Sequence, residues 1–247
     1  MTEPARLRLL GCGHSESMDF FNTNAVLETP QGRLLIDSGY TIKPALRAQG
    51  LKLEDIQAAF ITHVHADHCV GLERLGIEGR YVLGRKFGLL FEPEIETELW
   101  DQCLKGLLGS SSDGFNRLED FFDVQRVSNR HFEFGGVAID LYPTRHTPGK
   151  PSFGLLLNQR VAYTSDTLPI PDVLEALDPE VIFHDVTLAG DNPVHPSIDA
   201  LLEGYSEKLR RRMFLQSYED FISDEHRRRI EKEFAGVAWQ GQSVEIG

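Results

Sequence analysis

The 247-residue sequence predicts an α/β fold in which two sheets pack face to face with helices outside. Three observations predict it. Short β-like runs open the chain, a second block of strands begins after about residue 126, and the last third alternates strand and helix. No Pro- or Gly-rich linker divides these blocks, so one domain spanning 1–247 is expected.

The opening runs are "RLRLLG", "NAVLET" and "RLLIDSG". Leucine and β-branched residues separated by Gly, Asn and Pro turns fit strands joined by hairpins. A helical stretch follows near Pro44 to Leu53. "AAFIT" then reads as a buried strand running into "HVHADHC", after which the pattern turns helical, with Asp67 a plausible N-cap. Residues 83–126 read as a partly helical insertion. Ile95, Leu99, Cys103 and Leu107 carry helical spacing there, and "GSSSDG" is a loop. Strands resume at "VAIDLYPT", "FGLLLN" and "RVAYTSD". A helix, the strand "VIFHD", the loop "VTLAGDNPVHPS" and a long helix from Ile198 come next. "MFLQS", a charged helix near Ser223 to Phe234 and "SVEIG" close the chain.

Composition excludes several function classes. A net charge of −13 argues against nonspecific binding to nucleic acid or anionic membranes. The segment 83–126 holds nine acidic against five basic residues and makes a poor RNA-gripping arm. A small phosphodiester remains open, because a metal inverts the local potential. No apolar run approaches the roughly 18 residues of a membrane helix. The N-terminus lacks a signal peptide's apolar stretch, so a cytoplasmic location is expected. Three scattered cysteines, Cys12, Cys69 and Cys103, are too few for a disulfide framework and read as reduced thiols.

The chemistry concentrates in "ITHVHADHCVG", Ile61 to Gly71. On an extended segment His63 and His65 project to one side. If the chain then turns helical, Asp67 and His68 face a second point beside the first. Imidazole with carboxylate suits zinc, iron or manganese, and this spacing can feed two ions. Further donors stand where later strands hand over to loops: His146, Asp166, His184 and Asp185, with His195 just beyond. Six of the nine histidines fall in these clusters, which favours a site over scattered surface residues.

These residues resemble the metallo-β-lactamase superfamily, whose αββα four-layer sandwich carries THxHxDH; the match here is "THVHADH", Thr62 to His68. "LGCGHSESMDFFNTNAVLE", "LLIDSG", "RHTPGKPSFGLLL" and "AYTSDT" are similar to its ribonuclease Z-like, phosphodiesterase-like branch. The resemblance spans nearly the whole chain. It implies one metal on His63, His65 and His146, a second on Asp67 and His68, and Asp166 bridging them. The ions would be one or two Zn²⁺, with Mn²⁺ or Fe²⁺ as alternatives. A metal-bound hydroxide would be the nucleophile. "VIFHDVT" and "VHPS" resemble the branch's acid–histidine relay. The resemblance thus places Asp67, Asp185 and His195 in the catalytic set, with His195 as general acid. The alternative to that role is a structural loop clamp made by Asp185 and His195.

One departure stands out. The branch usually ends with an LxH strand whose histidine completes the second metal site, and here "MFLQSYED" puts Ser217 in that place, with Gln216 beside it. Tyr218, Glu219 and Asp220 are close enough in sequence to intrude. Asp37 is open between bracing a ligand histidine and shaping a turn, and His14, Asn22 and Asn24 between lining the pocket and forming Asx turns. Trp100 and Phe91 read as packing residues.

The expected function is a metal-dependent hydrolase cleaving a phosphodiester in a small or nucleotide-like substrate. The alternatives are a thioester or lactone hydrolase on the same scaffold, a metal-depleted binding protein that performs no turnover, and, remotely, a single-iron dioxygenase. A homodimer is common in the superfamily.

Overall fold

The computed structural model describes residues 4–190 and 192–247. The opening runs form strands β1 (Arg6–Gly11), β2 (Asn24–Thr29) and β3 (Gly32–Ile36), antiparallel in succession. Strands β4 (Ala58–Ile61) and β5 (Phe87–Phe91) add in parallel. A small hairpin of β6 (Ser110–Ser111) and β7 (Gly114–Phe115) stands apart, and β8 (Phe122–Arg126) pairs with β5. The second block supplies β9 (His131–Phe134), β10 (Val137–Pro143), β11 (Phe153–Leu157) and β12 (Val161–Tyr163), each antiparallel to the last. Parallel β13 (Val181–Asp185), β14 (Met213–Gln216) and β15 (Gly236–Val237) complete that sheet. The last strand, β16 (Ser243–Glu245), returns to pair with β1.

Two seven-stranded sheets result, ordered β16-β1-β2-β3-β4-β5-β8 and β15-β14-β13-β12-β11-β10-β9. Their inner faces share one core. Phe60 on β4 stacks on Phe132 of β9 with ring centroids 5.5 Å apart, and both are buried. Truncating such a phenylalanine to alanine costs about 3–5 kcal/mol, so this contact is a main tie between the sheets. The parallel strands β3 and β4 in one sheet and β12, β13 and β14 in the other deliver their carboxyl ends to the same edge of the sandwich, where open α/β sheets bind ligands. This is the α/β sandwich of the metallo-β-lactamase fold.

Local structure departs from the sequence reading in three places. Within residues 83–126, β5 and β8 are strands of the first sheet. Phe87, Leu89, Leu90 and Phe91 are all buried, so "FGLLF" lacks the alternation that marks a half-exposed strand. Second, Glu98–Leu104 is wound as a π-helix. The extra residue per turn moves the buried face from Cys103 and Leu107 to Leu104 and Leu108; Leu107 is 51% exposed. Third, the helix from Ile198 stops at Gly204, and a separate turn spans Glu207–Arg210. Ser197 and Ser223 cap their helices through side-chain oxygens that accept from Ala200 N and His226 N. No helix of the described residues is long and apolar enough to cross a membrane.

Candidate metal centre

The histidine loop leaves β4 extended and turns at once into a four-residue helix, Ala66–Cys69. His65, extended at φ −121° and ψ 156°, is the N-cap, so Asp67 sits in the first turn and is not the cap residue. The helix lies on the Asp37–Gly39 turn. A Cβ on Gly39 would fall 1.9 Å from Asp67 O, so only glycine admits this approach. Ser38 N donates to His68 O at 2.7 Å and fixes the helix from its other side.

The predicted donors converge. His63, His65, His146 and Asp166 form one group, Asp67, His68 and Asp166 a second, and Asp166, Asp185 and His195 a third; within each group the donor atoms lie within 4.8 Å of one another. Asp166 belongs to all three. It follows β12 by three residues, just after Ser165 in the left-handed region at φ 52°. His146 likewise stands three residues past β10, and Asp185 ends β13.

Proton placement shows what this cradle suits. His146 Nδ1 donates to Val194 O at 3.1 Å, and His68 Nδ1 donates to the Asp37 carboxylate at 2.8 Å. Thr62 Oγ1 donates to Asp37, so it accepts from His63 Nδ1 at 3.0 Å. His65 Nε2 lies 3.4 Å from Thr147 Oγ1. Each outer nitrogen thus has an oxygen partner, which leaves lone pairs on the inner nitrogens of His63, His65 and His146. Among these, His65 Nδ1 is 3.1 Å from both His63 Nε2 and His146 Nε2. Zinc–nitrogen bonds of about 2.0–2.1 Å give tetrahedral edges of about 3.3 Å, which these two separations approach. His68 Nε2 is buried, 3.2 Å from Asp166 Oδ2 and 3.3 Å from Asp67 Oδ2, yet it has no hydrogen-bond partner. Lone pairs facing one another and carboxylates, away from water, call for a cation between them. The residues therefore fit a divalent metal.

Electrostatics agree. Burial, with the neighbouring imidazoles, holds His63 well below the ordinary histidine value, and His65 and His146 also fall. These are neutral bases at pH 7, the form that binds metal. At His68 burial pulls downward, but the carboxylates of Asp166, Asp67 and Asp37 raise it well above the ordinary value. Burial would raise Asp166, and the surrounding imidazoles, His68 first, hold it well below the ordinary carboxylate range.

Ser217 follows β14 with φ 69°, and its hydroxyl donates to Asp166 Oδ1 at 3.2 Å. It engages the other oxygen of the shared carboxylate. None of its neighbours intrudes on the cradle. Tyr218 Oη donates to Ala238 O, Glu219 accepts from Thr187 Oγ1 and Leu188 N, and Asp220 accepts from Met18 N and Asp19 N. Glu219 and Asp220 instead brace the two loops that border the site. Gln216 is buried beside them.

The positions left open also resolve. Asp37 is fully buried at φ 65° and accepts from His68, Thr62 and Ser165, so its main work is bracing. Asn22 links Thr41 to Ser15, and Asn24 donates to Asn22 O; both hold loops. The His14 ring lies 6.3 Å from that of His195, at the rim. Phe91 is buried and Trp100 packs on the core. Sequence reading missed Thr62, Ser165 and Thr167, whose hydroxyls and amides position the carboxylates. Their only signal was adjacency to a motif aspartate or histidine.

Known proteins place this geometry in a family. A family model described as anti-Pycsar protein Apyc1 matches residues 5–244. The Apyc1 of Paenibacillus harenae is 36% identical over 221 residues, covering 87% of this chain and 90% of that protein. The Apyc1 of Bacillus phage 010DV004 is 34% identical over 239 residues, covering 91% and 93%. Among solved structures, a diphosphatase of the PhnP family superposes with a TM-score of 0.78 over 98% of each chain, at 21% identity. The chain belongs to the anti-Pycsar Apyc1 family, and its fold is that of the metallo-β-lactamases.

Proposed function

We propose that this protein is a metal-dependent phosphodiesterase acting on a small, nucleotide-like substrate, with His195 as general acid. The observation that carries the reading is the His195–Asp185 pair beside the cradle. His195 Nδ1 donates to Asp185 Oδ2 at 2.8 Å, and its Nε2 stands 3.9 Å from Asp166 Oδ2. Burial disfavours the imidazolium, but the Asp185 carboxylate and its hydrogen bond outweigh that and raise His195 to about 9. The ring carries a proton at neutral pH and points it into the site.

Metals on His63, His65, His146 and Asp166, and on Asp67, His68 and Asp166, would lower the pKa of an attacking water and polarise a phosphoryl oxygen. The chain's own contribution is order and proton supply. Asp37 holds His68, Val194 O holds His146, and Asp185, itself fixed by Thr167 N at 2.9 Å, holds His195. His195 protonates the departing alkoxide, a role worth typically 10²–10⁴-fold. A carbonyl substrate with a thiolate leaving group needs no such proton. Beside His195 a cavity of about 390 Å³, lined by Leu168, Asn192 and Ala200 among others, suits a small ligand.

A cyclic nucleotide is the test substrate, because it is a small phosphodiester whose cleavage releases an alkoxide. Metal-loaded protein should hydrolyse a 3′,5′-cyclic nucleotide in preference to a thioester and a lactone. Turnover of only the latter two would replace this reading with the carbonyl hydrolase. Ser217 supports a narrower second reading, in which the group on Asp67 and His68 holds its ion weakly for lack of a third nitrogen.

A further inference from the structure

Two cysteine sulfurs meet behind the cradle. Cys69 ends the helix that carries Asp67 and His68 and is fully buried. Cys103 lies in the π-wound segment Glu98–Leu104 and is half-buried. Their Sγ atoms are 3.9 Å apart. The π turn creates this pairing, because it gives the core position to Leu104 and leaves Cys103 between Cys69 and solvent. Cys103 and Lys150 line a surface cavity of about 310 Å³, so a small oxidant in water reaches Cys103 but not Cys69. The hydrogen bond with Cys69 lowers the Cys103 thiol against the opposing effects of burial and the Glu98 carboxylate.

We propose that Cys69 and Cys103 form an oxidant-driven, thiol-reversible disulfide that loosens the metal-holding helix. Hydrogen peroxide transfers one oxygen to Cys103, giving the sulfenic acid and releasing water. The Cys69 sulfur then attacks the Cys103 sulfur. The S–S bond forms, the S–O bond breaks, and the hydroxyl leaves as water with the Cys69 proton. Both thiols are oxidised and the peroxide is reduced. A reducing thiol reverses the bond by exchange.

Closure requires the sulfurs to come to about 2.05 Å, nearly half their present separation. Cys69 cannot move alone. Its N donates to His65 O at 3.0 Å, and the preceding His68 is bonded through O to Ser38 and through Nδ1 to Asp37. A pull at Cys69 is therefore passed to His68. This consequence rests on the metal reading above, whereas the thiol chemistry does not.

The test is to expose metal-loaded protein to hydrogen peroxide, alkylate, and map the peptides. The expected product is a Cys69–Cys103 link with the buried Cys12 still alkylated after denaturation, reversed by dithiothreitol. The oxidised protein should release metal to a chelator several-fold faster than the reduced protein. Cys103→Ala should show neither link nor faster release. Cys69→Ala, lacking the resolving thiol, should carry Cys103 on to the sulfinic acid. Sulfinic acid or unreacted thiol at Cys103 of the unaltered chain would overturn the disulfide. A formed link with unchanged metal release would overturn the coupling while leaving the phosphodiesterase reading intact.

Discussion

His195 and Asp185 share one hydrogen bond, Nδ1 to Oδ2 at 2.8 Å, and that oxygen also accepts Thr167 N at 2.9 Å. The imidazole is therefore oriented from a strand end that is itself fixed. Because the pair raises His195 to about 9, activity that needs its proton should hold through neutral pH and fall as pH rises through about 9. Asp185→Asn keeps the shape and removes the charge. Burial then lowers the ring against the Asp166 carboxylate only, so the alkaline limb should move to lower pH and the neutral rate should drop about 10–100-fold. A pH–rate profile of the two proteins checks this.

Asp37 accepts from His68 Nδ1, Thr62 N and Ser165 Oγ in a fully buried position. Asp37→Ala strands these donors and should destabilise the fold by about 3 kcal/mol. It should also weaken metal retention by about 10–100-fold, as loss of such a bracing carboxylate does elsewhere. Denaturant melts and a chelator competition measure the two effects separately.

In the metal-free protein His68 holds its proton well above the ordinary histidine value, because Asp166, Asp67 and Asp37 overcome the effect of burial. A cation entering the group of Asp67, His68 and Asp166 must displace that proton. Affinity there should rise with pH and fall in acid, with a proton released on binding. Calorimetry in buffers of different ionisation heat reports the release. No proton release at that group would contradict the assignment.

Ser217 Oγ touches Asp166 Oδ1, on the side where a further nitrogen is absent. Its φ of 69° lies in the left-handed region that histidine visits more readily than most residues. Ser217→His should raise the metal retained after dialysis toward two ions per chain. Elemental analysis of the two proteins decides it; equal content would show that the site is complete without position 217.

Much of this site was legible in the sequence because its logic is local. His63 and His65 are two apart on an extended run, and Asp67 and His68 open a helix, so the pattern alone sets four donors. His146, Asp166 and Asp185 stand at or just after strand ends, where the chain leaves the sheet. What stayed illegible was tertiary. Asp37 reads as a turn residue until His68 is seen against it. The strand Phe87–Phe91 lacks alternation because both its faces are buried, and it passed for part of an insertion. The π turn at Glu98–Leu104 is invisible to periodicity, since Cys103 and Leu104 both offer an apolar side chain. Ser217 was recognisable as an anomaly, yet only the folded chain shows its hydroxyl on Asp166.

The central claim is that His195 supplies a proton to an alkoxide leaving group. The most direct measurement compares His195→Ala with the unaltered protein on two phosphodiesters: a cyclic nucleotide, which releases an alkoxide, and bis(p-nitrophenyl) phosphate, whose phenolate departs unaided. The account predicts a loss of about 10²–10⁴-fold in kcat on the cyclic nucleotide and a loss of less than about 10-fold on the nitrophenyl ester. Equal losses on both substrates would contradict it and would leave His195 a structural clamp of its loop.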